Sequence, residues 1–244
     1  MNHMRSVAMQ KNNTLEAIQR SLRRYATKER ARVNAWFFKT GKGEYGEGDQ
    51  FIGVSVPDIR IVAHHYQGAS FSTIKQLLAS PIHEDRLLAL LILVTTYEKA
   101  SDEEKSRITK FYLSNKIRIN NWDLVDTSAS YILGASLYKK DVSILYTLGA
   151  SKRLWDRRIA IVATHYFIKQ KQYKDTLALA VLLMKDTEDL IHKAVGWMLR
   201  EVGKKDEVVL KKFLDQYHKE MPRTMLRYAI ERLSLDRRRY YMGK

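Results

Sequence analysis

The feature that most limits this chain is a repeat. Helix-like blocks open at Arg86 (RLLALLIL), Trp122 (WDLVDTSASYIL), Arg158 (RIAIVATHYF), Lys193 (KAVGWMLREV) and Arg227 (RYAIERLS), at intervals of 36, 36, 35 and 34 residues. Each block mixes small residues with larger apolar ones, and the residues between blocks suffice for a second helix. A period in this range, with two helices per unit, predicts an α-solenoid in which each unit buries its apolar face against the next. Equivalent positions of successive units then line a concave surface. That geometry predicts Trp122, Arg158 and the helix at 193–200 as spatial neighbours.

The rest of the chain agrees with an all-α class. Leu15, Ile18, Leu22 and Tyr25 keep helical spacing, as do Ile74, Leu77 and Leu78, and Val208, Phe213 and Leu214 sketch a shorter face. Three prolines and 11 glycines in 244 residues are too few turn-formers for a sandwich of short strands. Ser101, followed by Asp102, Glu103 and Glu104, reads as a helix cap. The expectation is one domain over 1–244, a solenoid of HEAT-like repeats with a concave basic groove, preceded by a flexible N-terminus at 1–12. One stretch breaks the pattern: Gly41, Gly43 and Gly46 spell G-x-G-x-x-G. It follows a helix-like segment rather than a strand, and Glu44, Glu47 and Asp49 would repel phosphate, so it reads as a mobile surface loop.

Charge narrows the partner. Lys and Arg number 43 against 27 Asp and Glu, a net of +16, with +7 in residues 1–122 and +9 in 123–244. The excess is spread along the fold and points to a polyanion, with nucleic acid first. The longest apolar run, residues 87–94, is far short of the roughly 20 residues a membrane span needs. No apolar block marks a secretion signal at the start of the chain. The absence of cysteine removes disulfides, thiol nucleophiles and cysteine-ligated metals, and suits a reducing cytoplasm. His64, His65, His165 and His192 form no metal-ligand spacing, and neither a nucleophile elbow nor a Walker loop is present. No metal or cofactor is expected.

What remains is a set of aromatic and charged side chains. Trp122 and Asp126 are four apart and share a helix face; Trp197 and Arg200, three apart, do the same on a later helix, and Arg158 opens the block between. Indole faces attract a cation or stack on a base, a carboxylate stabilises developing positive charge, and arginines hold phosphates. Each residue also has a plainer reading: helical tryptophans are commonly core, Asp126 could cap or pair with a lysine, and Arg200 with Glu201 could be solvated surface.

The segments Asn121-Trp122-Asp123-Leu124-Val125-Asp126, Trp155-Asp156-Arg157-Arg158-Ile159-Ala160 and Lys193-Ala194-Val195-Gly196-Trp197-Met198-Leu199-Arg200-Glu201 resemble the AlkD-like DNA alkylation repair proteins, as does Phe51-Ile52-Gly53-Val54-Ser55-Val56-Pro57-Asp58-Ile59-Arg60. The resemblance spans roughly residues 30–235. It implies a HEAT-like solenoid that excises N3- and N7-alkylated purines from duplex DNA; a monomer is the expectation. It implies further that Trp122 and Trp197 flank the lesion, that Asp126 is the catalytic carboxylate, and that Arg158 and Arg200 belong to the DNA-binding face. One departure stands out: where some members carry a second tryptophan, this chain has Asn121. Two other classes compete, a non-catalytic solenoid that recognises altered DNA and a protein-binding HEAT scaffold. Asp126 separates the first from the glycosylase, because a pure binder gains nothing from a carboxylate facing phosphate.

Overall fold

The computed structural model describes residues 13–243; the expected flexible segment at 1–12 lies outside them. The described residues are helical throughout, with no strand and one isolated parallel bridge between Gln50 and Ile82. None of these helices is long and apolar enough to cross a membrane. The chain divides into two compact units at Ser128/Ala129.

The first unit runs α1 (Leu15–Arg23), α2 (Lys28–Phe37), α3 (Val56–His65), α4 (Phe71–Ala79), α5 (His83–Lys99), α6 (Asp102–Ser114), a 3₁₀ turn (Lys116–Arg118) and α7 (Trp122–Asp126). Hydroxyl caps set several starts: Thr14, Thr27, Ser55, Ser70 and Ser101 each accept a bond from a backbone N–H three residues on. Ser101 caps where the sequence placed it. The centre of the unit is α5, which packs against α3, α4, α6 and α7. Every residue from His83 to Val94 is buried. Each of its leucines contributes about 1.5–3 kcal/mol by leaving water. Its first turn is polar yet buried, so His83, Glu84, Asp85 and Arg86 must each find a partner.

Glu84 finds three. Its carboxylate accepts from the backbone N–H groups of Ile52, Gly53 and Val54 at 3.1, 2.8 and 3.3 Å, pinning the extended run before α3. Gly53 sits there at φ +79°, and its carbonyl accepts from the N–H of Thr27. A Cβ at this position would fall onto the Thr27 carbonyl oxygen and 2.5 Å from the nitrogen of Ala31. Backbone strain and steric overlap therefore act together. Gly53→Ala is expected to lower stability by about 2–4 kcal/mol, read from the denaturant midpoint; an unchanged midpoint would show that this junction yields.

The second unit comprises a π turn (Ser130–Gly134), α8 (Ala135–Leu137), α9 (Ser143–Gly149), α10 (Leu154–Ala163), α11 (His165–Lys169), α12 (Lys174–Leu182), α13 (Asp189–Lys205), α14 (Glu207–Tyr217), α15 (Arg223–Ala229) and α16 (Leu235–Met242). The blocks read from the sequence stack here in order: the π turn on α10, α10 on α13, and α13 on α15. The small residues within the blocks are the crossing points. At Gly196 a Cβ would stand 2.5 Å from both the Met225 carbonyl oxygen and the Tyr228 Cβ, so only glycine lets α13 and α15 approach this closely.

Candidate functional site

In the first unit the site is built on α7. The sequence suggests a helix continuing to residue 133, but α7 lasts five residues. Thr127 donates its hydroxyl to the Asp123 carbonyl (2.7 Å) and Ser128 donates to that of Leu124 (2.5 Å), local bonds that compete with helix continuation. Trp122 and Asp126 stay on one face of this turn, and both are half-buried. Phe38 stacks on the Trp122 indole at 5.1 Å and 14°, and Phe37 meets it edge-on at 6.0 Å. Asp126 lies close enough to the buried Tyr112 to push its hydroxyl pKa further up than burial alone does, against the pull of the Ser128 hydrogen bond.

A buried polar chain fixes the start of α7. Asn121 is fully buried; its Oδ1 accepts from the Trp122 N–H at 2.8 Å and its Nδ2 donates to Asp49 at 3.1 Å. Asp123 meets His83 Nε2 at 2.7 Å, and Asp49 meets His83 Nδ1 at 2.9 Å. Arg86 closes the chain, donating to Asp49 at 2.6 Å and to the Ser80 carbonyl at 3.0 Å. Two acids and two bases make the assembly neutral when His83 is protonated. Burial pulls the His83 pKa down, but the charge and hydrogen bond of Asp123, with those of Asp49, outweigh it and raise the pKa to about 9. For Asp49 burial pushes upward, and the His83 hydrogen bond and Arg86 charge overcome it to leave the carboxyl below its ordinary value. Two rings also touch the imidazolium and each other: Phe51 stacks on it at 4.6 Å, Phe38 lies at 4.9 Å, and the two phenyl rings are 5.0 Å apart. Phe38 thus touches both the buried cation and Trp122.

In the second unit Trp197 is half-buried beside the His165 ring at 5.6 Å. Burial first, then nearby Lys169, lowers the His165 pKa and keeps the ring neutral. Arg200 lies one turn further along α13 and pairs with Glu231, while its Nε is 3.8 Å from Glu201. Arg158 is only 5% exposed; its Nη1 donates to the Leu190 carbonyl at 2.5 Å, tying α10 to the start of α13 and making those two helices the neighbours the repeat predicts. Arg158→Ala is therefore expected to cost about 2 kcal/mol of stability by removing a buried charged donor and its tie between the two helices. Thermal melting checks this; an unchanged midpoint would confine the side chain to ligand contact.

Sequence reasoning overlooked His83, Asp49 and Asp123. The available signal was the charged quartet His83-Glu84-Asp85-Arg86 opening an otherwise apolar helix. The loop at 41–48 is a turn-rich surface segment, and its amides are already engaged: Gly41 N–H donates to Glu44 at 2.9 Å and Gly43 N–H to Glu47 at 2.8 Å. Carboxylates occupy the places a phosphate would need.

Comparison with known proteins adds two findings. Residues 18–233 match the sequence model of a family described as DNA alkylation repair enzyme. A solved structure of a protein from Enterococcus faecalis, described as a predicted DNA alkylation repair enzyme, is similar to this chain, with a TM-score of 0.65 and 16% identity over 86% of this chain and 97% of that one. At that identity the likeness carries the fold. No curated protein matches.

Proposed function

The chain belongs to the DNA alkylation repair enzyme family, and from that premise we propose that it is a monofunctional DNA glycosylase that hydrolyses the N-glycosidic bond of cationic N3- and N7-alkylated purines in duplex DNA. The observation that carries this reading is Asp126, a half-buried carboxylate one helical turn from the half-buried Trp122 in a chain of net charge +16. Alkylation at N3 or N7 leaves the purine positively charged and ready to depart, so little acid catalysis is needed. Cleavage at C1′ builds an oxocarbenium-like deoxyribose. Asp126 supplies a negative charge beside that sugar and a base to orient the attacking water. The Trp122 ring face favours the charged lesion, and Trp197 is the corresponding aromatic residue of the second unit.

Arg158 and Arg200 serve the DNA face in this reading, Arg158 from within its bond to Leu190. Residues 1–244 act as one functional domain and as a monomer, without a cofactor, in the cytoplasm. The buried Asp49–His83–Asp123 chain holds Trp122 and Asp126 in register, as a positioning shell must. The test is direct: incubate the protein with methylated duplex DNA and separate released bases by chromatography. Release of 3-methyladenine and 7-methylguanine supports the reading. DNA binding with no released base would make the protein a non-catalytic reader of altered DNA.

A further inference from the structure

Helix α2 lends only its last residue, Phe37, to the site just described, yet it is the most unusual surface element of the first unit. It is ten residues long and buries none of them. Val33 is 56% exposed, Phe37 54% and Trp36 81%. Of the four tryptophans, Trp155 is buried and Trp122 and Trp197 are half-buried, so Trp36 alone offers nearly all of its ring to solvent. Single exposed apolar residues need no explanation, but three together on a helix without a packing face do.

The charge around this helix identifies what would cover it. Residues 20–42 hold eight basic residues and one acid, Glu29, a net of +7. All eight are exposed. Only Arg23 meets a carboxylate among the described residues, Asp85 at 3.6 Å. On the helix, Lys28, Arg32 and Trp36 follow at intervals of four, which puts two cations and an indole on one stripe, about 6 Å apart along the axis. Beside the indole lies a recess of about 560 Å³, lined by Ala35, Phe37, Lys39, Thr40 and Gly41, with the Glu44 carboxylate at one side on the Gly41 N–H. Its size falls within the range of small-ligand sites. Cations along a track with one flat ring at its end match a nucleic-acid strand, whose phosphates are regular and whose bases all present a π face.

We propose that α2 is a second DNA contact, in which Trp36 stacks on an unpaired nucleobase while Lys28 and Arg32 hold the adjoining phosphates. The proposal rests on the reading of the protein as DNA-binding but not on Asp126 or on base excision. The contact is continuous with the candidate site, because Phe37, next to Trp36, touches the Trp122 ring edge-on. A base displaced from the duplex near a lesion would have a platform there. A helix resting on a lipid surface would need a broader apolar face than Val33, Trp36 and Phe37 provide.

Fluorescence anisotropy of the full-length protein with a labelled oligothymidylate, and with an abasic strand of the same length, tests this. Trp36→Ala should weaken binding to oligothymidylate about tenfold and leave abasic-strand binding nearly unchanged, whereas Trp36→Phe should retain most of the affinity. Far-ultraviolet circular dichroism of both variants should match the parent. Equal affinity of Trp36→Ala and parent for oligothymidylate would overturn the proposal, and so would an equal loss on both strands. Trp36-dependent binding to phosphatidylserine vesicles with unaltered DNA binding would reassign the face to a membrane. A parent that binds no DNA fails this proposal together with the functional reading. A parent that releases no methylated base but shows Trp36-dependent binding supports the proposal and fails the glycosylase reading alone.

Discussion

Asp126→Asn is expected to release 7-methylguanine about 10²-fold more slowly than the parent protein in single-turnover assays at saturating protein. Asparagine keeps the size of the side chain and some of its hydrogen bonding, but it cannot offset the charge that develops on the sugar. DNA affinity should hold or rise slightly, because a negative charge near phosphates has been removed. Rate and affinity then move in different directions, which a folding defect cannot produce. A structural role would instead lower the melting temperature, with activity following the folded fraction. Equal excision rates would remove Asp126 from the chemistry.

Replacing His83 by alanine is expected to cost about 3–5 kcal/mol, because Asp49 and Asp123 would be left buried without their shared cation. The parent should carry a matching pH signature. Folding raises the His83 pKa from 6.5 to about 9, so the protonated ring favours the folded state. That contribution is complete below about pH 6.5 and is lost as pH climbs through about 9; the shift corresponds to roughly 3 kcal/mol. Asp49 works at the other end: its depressed pKa stabilises the fold above the ordinary carboxylate value of 3.8, and the contribution is lost as pH falls through the folded value. Urea melts at pH 6 and pH 9.5 would show the parent losing stability and His83→Ala changing much less. Parallel curves for the two proteins would mean that the ring is not held as an imidazolium.

These residues also show where sequence reading stops. The helical class, the block order and the Ser101 cap were legible because periodicity and capping are local. The buried polar chain was not, since its partners are 34 and 40 residues apart and nothing near His83 announces them. Arg86 and Arg158 look alike in sequence to phosphate-holding arginines. In the fold each donates to a backbone carbonyl, of Ser80 and Leu190 respectively. Each of these two arginines serves the repeat first, tying its own helix to a neighbouring segment through a part-buried carbonyl. The short α7 was missed for a different reason: the hydroxyls at 127 and 128 bond back to carbonyls four residues earlier, and residue type alone does not show which hydroxyls do so. Trp36 was visible as a residue but not as an exposed one. Its sequence neighbours are apolar, and only the fact that α2 buries none of its residues distinguishes it.

Asn121 limits what can replace it. A tryptophan there could not accept from the Trp122 N–H or satisfy Asp49 in the same way, and a fully buried position has no room for an indole. Positions 49 and 121 are coupled through that bond: a substitution at 121 that removes the amide leaves Asp49 to His83 and Arg86 alone.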